Sequence, residues 1–121
     1  MSTGIIVFAH GSRIEPANDG VRALVAALAR AGAFPNVEPA FLELGQPDLA
    51  AAVDLLAARG VKQIVVIPYF LTLGIHLERD LPQLVTALMD SHPGIAIRVT
   101  PPLEGHSALL QILLDRCSDA L

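Results

Sequence analysis

The sequence predicts a single α/β domain, residues 1–121, in which helices pack on a parallel β-sheet. Short runs of β-branched and other apolar residues alternate four times with longer segments of helical periodicity, a pattern typical of repeated βαβ units. The composition agrees, because 53% of the residues are hydrophobic and only 4% are aromatic, which favours an aliphatic core between helices and a sheet. A chain of 121 residues matches the usual size of one domain.

The first half of the chain contains two predicted strand–helix pairs. The first strand is predicted over residues 4–9, and its helix begins near Pro16 because proline suits the first helical turn. A second strand is predicted over residues 37–44, followed by a helix that Gln46 and Pro47 open. In the first helix, four apolar residues repeat at helical spacing and are expected to form its buried stripe: Val21, Leu24, Val25 and Leu28.

The second half contains the other two pairs. The third strand, residues 62–69, has an uninterrupted apolar run and is predicted to be central and buried on both faces. A loop over residues 70–78 leads to the third helix, and residues 95–99 form the predicted fourth strand. The last helix spans about residues 105–120, where the single cysteine, Cys117, is assigned to packing. Its four leucines are expected to face the core: Leu109, Leu110, Leu113 and Leu114.

Charge and cysteine content narrow the classes of function. The formal net charge is −4 and Lys62 is the only lysine, so the extended basic surface that binds nucleic acid is not expected. A few arginines inside a cleft are still able to hold a small polyanion. One cysteine excludes an internal disulfide and favours a reducing compartment. No apolar run reaches the length of a membrane span, so we expect a cytoplasmic protein without membrane partners.

Three ionisable side chains follow three successive predicted strands. His10 begins the segment HGSR after the first strand, Glu43 lies at the end of the second, and His76 lies in the loop after the third. The carboxyl ends of parallel strands meet at one edge of a sheet, where ligands bind, so we expect a shared site. Two imidazoles and a carboxylate suit cobalt, iron, nickel or zinc better than magnesium or calcium. The spacing matches no local metal motif, so such a site forms only on folding.

Each of these side chains also has a structural interpretation. His10 is otherwise a loop histidine satisfied by the backbone, His76 an exposed loop residue, and Glu43 one half of a structural ion pair. The neighbours of His10 favour a binding role. Gly11 allows close approach of the backbone, and Arg13 offers a planar fork suited to carboxylates.

The two remaining histidines are predicted to be structural. His92 lies in a His-Pro-Gly segment between a helix and a strand, at the amino end of the sheet, which is typical of a plain turn residue. His106 begins the last helix on the carboxyl side of the fourth strand. Capping or packing is favoured there over a place in the crevice.

Three segments carry a resemblance that spans nearly the whole chain: AHGSR at 9–13, FLELGQPDLAAAV at 41–53 and PYFLTLGIHLERDLP at 68–82. In them the sequence resembles the class II tetrapyrrole chelatases, specifically the short-form sirohydrochlorin cobaltochelatase and ferrochelatase family of cobalamin and sirohaem biosynthesis. It departs from that family at Ala9, where many relatives have glycine. It also departs at 102–107, where PLEGHS stands in place of Pro-Leu-Gly-x-His-Pro, so the resemblance implies no role for His106.

The resemblance implies a three-layer, chelatase-like (flavodoxin-like) sandwich with a four-stranded parallel sheet, and a homodimer that sets two clefts face to face. It implies that His10 and His76 bind the metal and accept protons, with Glu43 as the accompanying carboxylate. The implied substrates are a sirohydrochlorin-type tetrapyrrole and a divalent ion, Co²⁺, Fe²⁺ or Ni²⁺, inserted without ATP. The sequence has no Walker phosphate loop, which agrees with a reaction that needs no nucleotide.

We expect Ser12, Arg13 and Arg79 to bind the substrate, the arginines through its carboxylates. A hypothesis from a different class is a noncatalytic tetrapyrrole or metal carrier, which keeps the crevice and releases its ligand unchanged. A third is a flavodoxin-like phosphate-binding domain that uses the loop at Gly11 and Ser12. A serine hydrolase is least favoured, because no G-x-S-x-G turn occurs.

Overall fold

The computed structural model describes residues 3–121, in which four strands alternate with four helices. In chain order the elements are β1 (Thr3–Ala9), α1 (Glu15–Gly32), β2 (Val37–Phe41), α2 (Leu49–Ala58), β3 (Gln63–Tyr69), α3 (Gly74–Ser91), β4 (Ala96–Val99) and α4 (Ala108–Ala120). The strands are all parallel and form one sheet in the order β2-β1-β3-β4, which confirms the predicted α/β architecture. None of the helices within these residues is long and apolar enough to cross a membrane.

The sheet brings the ends of its first three strands to one level. β1 pairs with β2 on one side and with β3 on the other, so that Ala9 lies opposite both Phe41 and Tyr69. The segments that follow these three residues therefore leave the sheet along a single edge, at its carboxyl end. Loops that diverge from a parallel sheet in this way form the crevice in which α/β proteins bind ligands.

The hydrophobic core lies on one face of the sheet, under α2 and α3. Alternate side chains of β1 and β3, such as Phe8 and Val66, belong to this core and are at most 1% exposed. Leu56 of α2 and Leu81 of α3 close the core from the outside. Burial of each large apolar side chain contributes about 1.5–3 kcal/mol, so this face anchors the fold.

The opposite face is covered over only part of its width. α1 packs beside β2, where Val25 is buried and the Arg22 guanidinium lies 5.1 Å from the centre of the Phe41 ring. Over β3 and β4, the outward side chains of the described chain are half-buried, as at Val65 and Ile67, or exposed, as at Ala96 and Arg98. A groove of about 360 Å³ lies there, lined by Gln63, Ile64, Val65, Ala96 and Arg98.

The second strand is shorter than predicted, and this changes the setting of Glu43. β2 ends at Phe41 rather than at residue 44, because the Phe41 amide donates to the Pro47 carbonyl (2.8 Å) and Leu44 takes a left-handed conformation with φ 58°. Glu43 therefore lies in the loop after β2 and not at the end of the strand itself.

Two helices begin at different residues from those predicted. α3 begins at Gly74, so His76 lies in its first turn and not in a loop that runs to residue 78. α2 begins at Leu49, and Gln46 and Pro47 belong to the loop before it. The start of α2 is fixed by the Asp48 carboxylate, which accepts a hydrogen bond from the backbone amide three residues later (2.8 Å).

The prediction that α4 packs on the core is wrong. The structure buries no residue of α4, and Leu110, Leu113 and Leu114 are 65%, 63% and 51% exposed. Cys117, assigned to packing, is exposed as well. The segment before α4 is tied to the loop after β3, because the Leu103 amide donates to the Phe70 carbonyl (2.9 Å). The helix leaves from that point without returning over its own sheet, and helical periodicity identifies an apolar face but not what covers it.

The predicted buried stripe of α1 holds only in part. Val25 is buried and Val21 and Leu28 are partly buried, whereas Leu24 is 45% exposed. α1 makes its contacts with β2 at the edge of the sheet. A helix on an edge strand buries a narrower stripe than one that sits between two neighbours.

Candidate functional site

His10 stands at the carboxyl end of the central strand β1 with one ring nitrogen engaged by its own loop. Its Nδ1 lies 3.0 Å from the Gly11 carbonyl oxygen. Because a carbonyl only accepts, Nδ1 carries the hydrogen, and Nε2 of the neutral ring keeps a free lone pair. The imidazole also meets the Phe70 ring edge to face, with 6.4 Å between the ring centres.

Glu43 reaches His10 from the loop after β2. The two loops continue the pairing of their strands, because the Leu42 amide donates to the Ala9 carbonyl (2.8 Å) and the Glu43 amide to the His10 carbonyl (3.1 Å). The side chains then meet with 3.6 Å between His10 Nε2 and Glu43 Oε1, and both are more than half exposed. Two ligands of one tetrahedral divalent ion, at bonds of about 2.1 Å, lie about 3.4 Å apart. The separation is therefore compatible with one shared ion.

Gly11 is what lets the two loops touch. Its backbone has φ +92°, which side chains rarely adopt, and a Cβ built there lies 1.7 Å from the Glu43 carbonyl oxygen. Any other residue at this position therefore has to move one loop away from the other. The glycine of the HGSR segment is thus required by the contact between the His10 loop and the Glu43 loop.

His76 and His10 line the same cavity. The cavity has a volume of about 400 Å³ and opens at the carboxyl edge, between the loops after β1, β2 and β3 and the first turns of α3. Most of its walls are apolar side chains, which is typical of small-molecule sites with few orienting polar groups. Its lining includes Leu42, Phe70, Leu73, Ile75, Leu77, Leu81 and Leu84.

Asp80 is a cavity residue that the sequence analysis missed. It lies four residues after His76 on α3 and therefore on the same side of the helix. The Arg79 guanidinium 2.8 Å away, with a smaller contribution from His76, holds the pKa of the Asp80 carboxyl below its usual range. The i, i+4 spacing from His76 was a usable signal once residue 76 was known to be helical.

The three predicted substrate-binding residues lie outside the cavity wall. The Ser12 hydroxyl accepts a hydrogen bond from the Ile14 amide (3.0 Å) at the start of α1. Arg13 is exposed, and within residues 3–121 it makes no hydrogen bond or ion pair. Arg79 is 63% exposed and paired with Asp80, whose carboxylate raises the pKa of the guanidinium.

The other two histidines have structural partners. His92 Nε2 lies 2.7 Å from Asp54 Oδ1 and its Nδ1 lies 2.9 Å from the Leu88 carbonyl, so it joins α3 to α2 at the amino end of the sheet. His92 therefore links two helices, which is more than the plain turn role predicted for it. His106 Nδ1 accepts a hydrogen bond from the Ala108 amide (3.0 Å), which is the capping alternative predicted for it.

No cluster of three or more His, Cys, Asp or Glu side chains close enough to hold a metal ion occurs in the part of the chain that the structure describes. The cavity is instead lined by His10 on one side and by His76 on the helix that forms another wall, and Glu43 lies beside His10 but outside the cavity lining. Such a set leaves coordination positions for other ligands.

Comparison with known proteins agrees with this architecture. The model of the CbiX family matches residues 4–120 of the chain. A chloroplastic sirohydrochlorin ferrochelatase of Arabidopsis thaliana is 36% identical over 98% of this chain and 52% of that protein. A sirohydrochlorin cobaltochelatase of Sulfurisphaera tokodaii is 31% identical over 98% of this chain and 93% of its own length. Among solved structures, a CbiX protein of Marinobacter aquaeolei gives a TM-score of 0.85 at 29% identity, covering 98% of this chain and 96% of that one.

The chain spans only 52% to 62% of the length of several curated relatives that it matches. The relative from Sulfurisphaera tokodaii, in contrast, is matched almost from end to end. With the family model covering residues 4–120 and a relative of similar length more than 30% identical, the chain belongs to the CbiX family.

Proposed function

We propose that this chain inserts a divalent metal ion into sirohydrochlorin, without a nucleotide, as an enzyme of cobalamin or sirohaem biosynthesis. The observation that carries the proposal is that His10 and His76 line one apolar cavity at the carboxyl edge of the sheet. Relatives named sirohydrochlorin ferrochelatase and sirohydrochlorin cobaltochelatase support this choice of macrocycle. The ion is a substrate of the reaction, because it leaves within the product.

The cavity suits a flat macrocycle. Its volume of about 400 Å³ lies in the range of about 300–1,000 Å³ found for small-molecule sites. Leu42, Phe70 and Leu84 offer apolar surface to the faces of a tetrapyrrole, and we expect its peripheral carboxylates to point towards solvent. The imidazoles are the polar groups that meet its centre.

Metal insertion exchanges two protons for one ion. Two pyrrole N–H bonds break, the ring nitrogens bind the divalent ion, and two protons pass to bases. An imidazole lone pair binds an ion or a proton, but only one of them at a time. We therefore expect His10 and His76 to hold the ion first and to take up the protons once the ion has moved to the macrocycle. His10 uses Nε2 for this, because its Nδ1 hydrogen is turned towards Gly11.

Glu43 assists His10 from the neighbouring loop. Its carboxylate lies 3.6 Å from His10 Nε2, close enough to share the incoming ion or to stabilise the positive charge that the ring gains with a proton. Both side chains are more than half exposed, so an ion and a macrocycle have access to them from solvent.

Arg13 and Arg79 are proposed to meet the carboxylates of the substrate, with Ser12 as an additional donor. Arg13 is exposed next to the His10 loop, whereas Arg79 has to exchange Asp80 for the substrate. Arg13→Ala is expected to raise KM several-fold with little change in kcat. An unchanged KM removes Arg13 from this role.

The proposal is tested by mixing the purified protein with sirohydrochlorin and Co²⁺, Fe²⁺ or Ni²⁺ and following the absorbance change of metallation. All three ions suit imidazole ligands, so the relative rates rank them. We expect His10→Ala and His76→Ala to abolish turnover, and His106→Ala, which removes an imidazole outside the cavity, to leave it unchanged. Variants of His10 and His76 that metallate as fast as the wild type contradict the assignment. Binding of sirohydrochlorin without turnover by the wild type favours the carrier alternative.

We also propose that the protein acts as a homodimer in which each copy covers apolar surface of the other. Two surfaces on the same chain support this. The leucines Leu110, Leu113 and Leu114 of α4 are exposed apolar surface of the kind that partners bury. The sheet face over β3 and β4 carries an open groove that a helix of another copy is able to fill. α4 has 13 residues, which is about 20 Å of helix, close to the length of about 23 Å for the seven residues of β3.

The dimer is tested by the molecular mass in solution. Leu113→Glu is expected to give a monomer, because a carboxylate is then placed in the interface. Leu55→Glu is the matched control, since Leu55 is also an exposed leucine, 44% exposed, but lies on α2. A wild-type monomer, or a Leu113→Glu dimer, refutes this arrangement.

Two further expectations belong to the same proposal. We propose that residues 1–121 form one domain, supported by one sheet that contains all four strands of the described chain. We propose a cytoplasmic location, supported by a single cysteine that is free and exposed, which suits a reducing compartment. Fractionation of the cells that produce the protein tests the location.

A further inference from the structure

A buried amide lies directly behind the site. Asn18 of α1 is 1% exposed and is the one polar side chain in the buried class within the described range 3–121. Burying an amide without hydrogen-bond partners is unfavourable. Its burial is therefore explained by the hydrogen bonds that it makes.

Asn18 holds the His10 loop at Ser12. Its Oδ1 accepts a hydrogen bond from the Ser12 amide (2.9 Å), and its Nδ2 donates to the Ser12 carbonyl (2.9 Å). Both polar backbone groups of a residue two positions after His10 are thus fixed by one side chain.

The same amide holds the Glu43 loop at Leu44. Asn18 Nδ2 donates to the Leu44 carbonyl (2.9 Å), 26 residues away in the sequence. Leu44 has φ 58°, a left-handed conformation that is strained for a non-glycine residue and persists only where its surroundings hold it. The next residue fits closely as well, because a Cβ on Gly45 lies 2.8 Å from the Phe41 ring and 3.2 Å from Asn18 Nδ2.

The orientation of the amide is set by the acidic side chain of the same helix. Asn18 Nδ2 also lies 3.2 Å from Glu15 Oε2, so the nitrogen faces three acceptors and the oxygen faces the Ser12 amide. Hydrogen bonds from Arg22 and then from Asn18 lower the pKa of the Glu15 carboxyl, which keeps it an acceptor. Arg22, one helical turn after Asn18, donates to the Gln46 carbonyl (3.0 Å), so α1 holds the Glu43 loop at two points.

We propose that Asn18 is a positioning residue that sets the distance between His10 and Glu43. It does not line the cavity, and it acts only by joining the two loops that carry these side chains. The inference rests on the proposed function where it is tested by enzymatic activity. Its test by metal binding is independent of that function, because binding of an ion requires no turnover.

The test compares Asn18→Ala with the wild type in two assays: metallation of sirohydrochlorin, and titration with Co²⁺ alone. We expect kcat/KM and the affinity for Co²⁺ each to fall by about tenfold, a size typical of lost support to a ligand. Because Asn18 acts through Glu43, Asn18→Ala combined with Glu43→Gln should lose little more than Glu43→Gln alone. Fold losses that multiply in the double variant overturn the proposal.

A matched control separates positioning from stability. Val25→Ala also truncates a buried side chain of α1, but Val25 lies seven residues, about two helical turns, after Asn18. It should lower the melting temperature and leave the Co²⁺ affinity at the wild-type value. An equal loss of Co²⁺ affinity in Val25→Ala refutes the inference.

If Asn18→Ala does not fold, the same test is made with a second variant, Asn18→Ser. Asn18→Ser keeps a hydroxyl near Ser12 but is too short to span both loops, and it is expected to show the same loss of Co²⁺ affinity. Adding Leu44→Gly, which removes the left-handed strain, should restore part of that affinity, and no restoration counts against the proposal. A wild type that binds Co²⁺ but does not metallate sirohydrochlorin contradicts the proposed function alone, because the Co²⁺ titrations still test Asn18.

Discussion

The two ends of the sheet each hold a histidine next to a carboxylate, and the two pairs are built differently. At the carboxyl edge, His10 Nε2 and Glu43 Oε1 are 3.6 Å apart, and both side chains are more than half exposed. At the amino end, His92 Nε2 lies 2.7 Å from Asp54 Oδ1, and only 18% of the His92 side chain is exposed.

The difference lies in what each ring has left for a ligand. His92 has both nitrogens engaged, and the hydrogen bond to the Leu88 carbonyl, with a further contribution from Asp54, raises the pKa of the imidazole. His10 has one nitrogen turned to its own loop and the other close to a carboxylate beside an open cavity. Two pairs of the same residue classes thus differ in one ring nitrogen: the His92–Asp54 pair joins two helices, whereas the His10–Glu43 pair keeps a nitrogen for the ion that we propose it binds.

Among substitutions that leave His10 and His76 in place, the largest effect is expected where the contact between the two loops is broken. Gly11→Ala places a Cβ against the Glu43 carbonyl oxygen, 1.7 Å away, so one loop has to move. Displacement of a reacting group by about 1 Å lowers rates by about 100-fold, and we expect a loss of that size in kcat/KM for metallation.

Gly94→Ala is the matched control for this prediction. Gly94 has nearly the same backbone conformation, φ +93° against +92°, but a Cβ there meets nothing within 4 Å. It lies in the turn before β4, at the amino end of the sheet. Gly94→Ala should cost stability but not activity, and similar activity losses in the two variants mean that the contact between the loops is not what matters.

The architecture could be predicted because the apolar pattern has two clear periods. Runs such as residues 62–69 indicate a central strand, and the alternation with helical segments leads to the four-stranded sheet that the structure confirms, although the outer face of that strand is only half-buried. The place of α4 could not be predicted in the same way. Its leucines mark an apolar face, but the sequence does not state whether that face meets its own sheet or another copy.

The site could be predicted as residues at one edge, but not as a geometry. Strand order brings the segments that carry His10 and Glu43 together, and the register explains why they leave the sheet at one level. The end of β2 was misplaced because Leu42, Glu43 and Leu44 alternate like a strand, whereas the turn there depends on Leu44 and on its bond to Asn18, 26 residues earlier. A contact between residues so far apart in the chain leaves no pattern in the local sequence. Asp80 was missed for a related reason, since its place in the cavity depends on where α3 begins.

An intermediate effect is expected when the carboxylate beside His10 is neutralised. Glu43→Gln keeps the size of the side chain and removes its charge, so a supporting group is lost while the imidazoles stay, and we expect kcat/KM for metallation to fall by about tenfold. Asp54→Asn makes the same change in the pair at the amino end and should leave kcat/KM unaltered. Steady-state metallation assays of both variants test this, and a Glu43→Gln variant with the kcat/KM of the wild type removes the carboxylate from the mechanism.

The smallest effect concerns stability and pH at the amino end. Because the pKa of His92 is raised above 6.5 in the folded protein, its pair with Asp54 stabilises the fold fully below that value, and this contribution is lost as the pH rises through the raised pKa. Asp54→Asn should therefore lower the melting temperature by a few degrees at about pH 5.5 and by less at about pH 9, as expected for an exposed pair. Asp90→Asn, which neutralises another exposed carboxylate near the end of α3, should show no such dependence. An equal loss from Asp54→Asn at both pH values would mean that protonated His92 is not its partner, and the contrast between the two ends of the sheet would then rest on His10 alone.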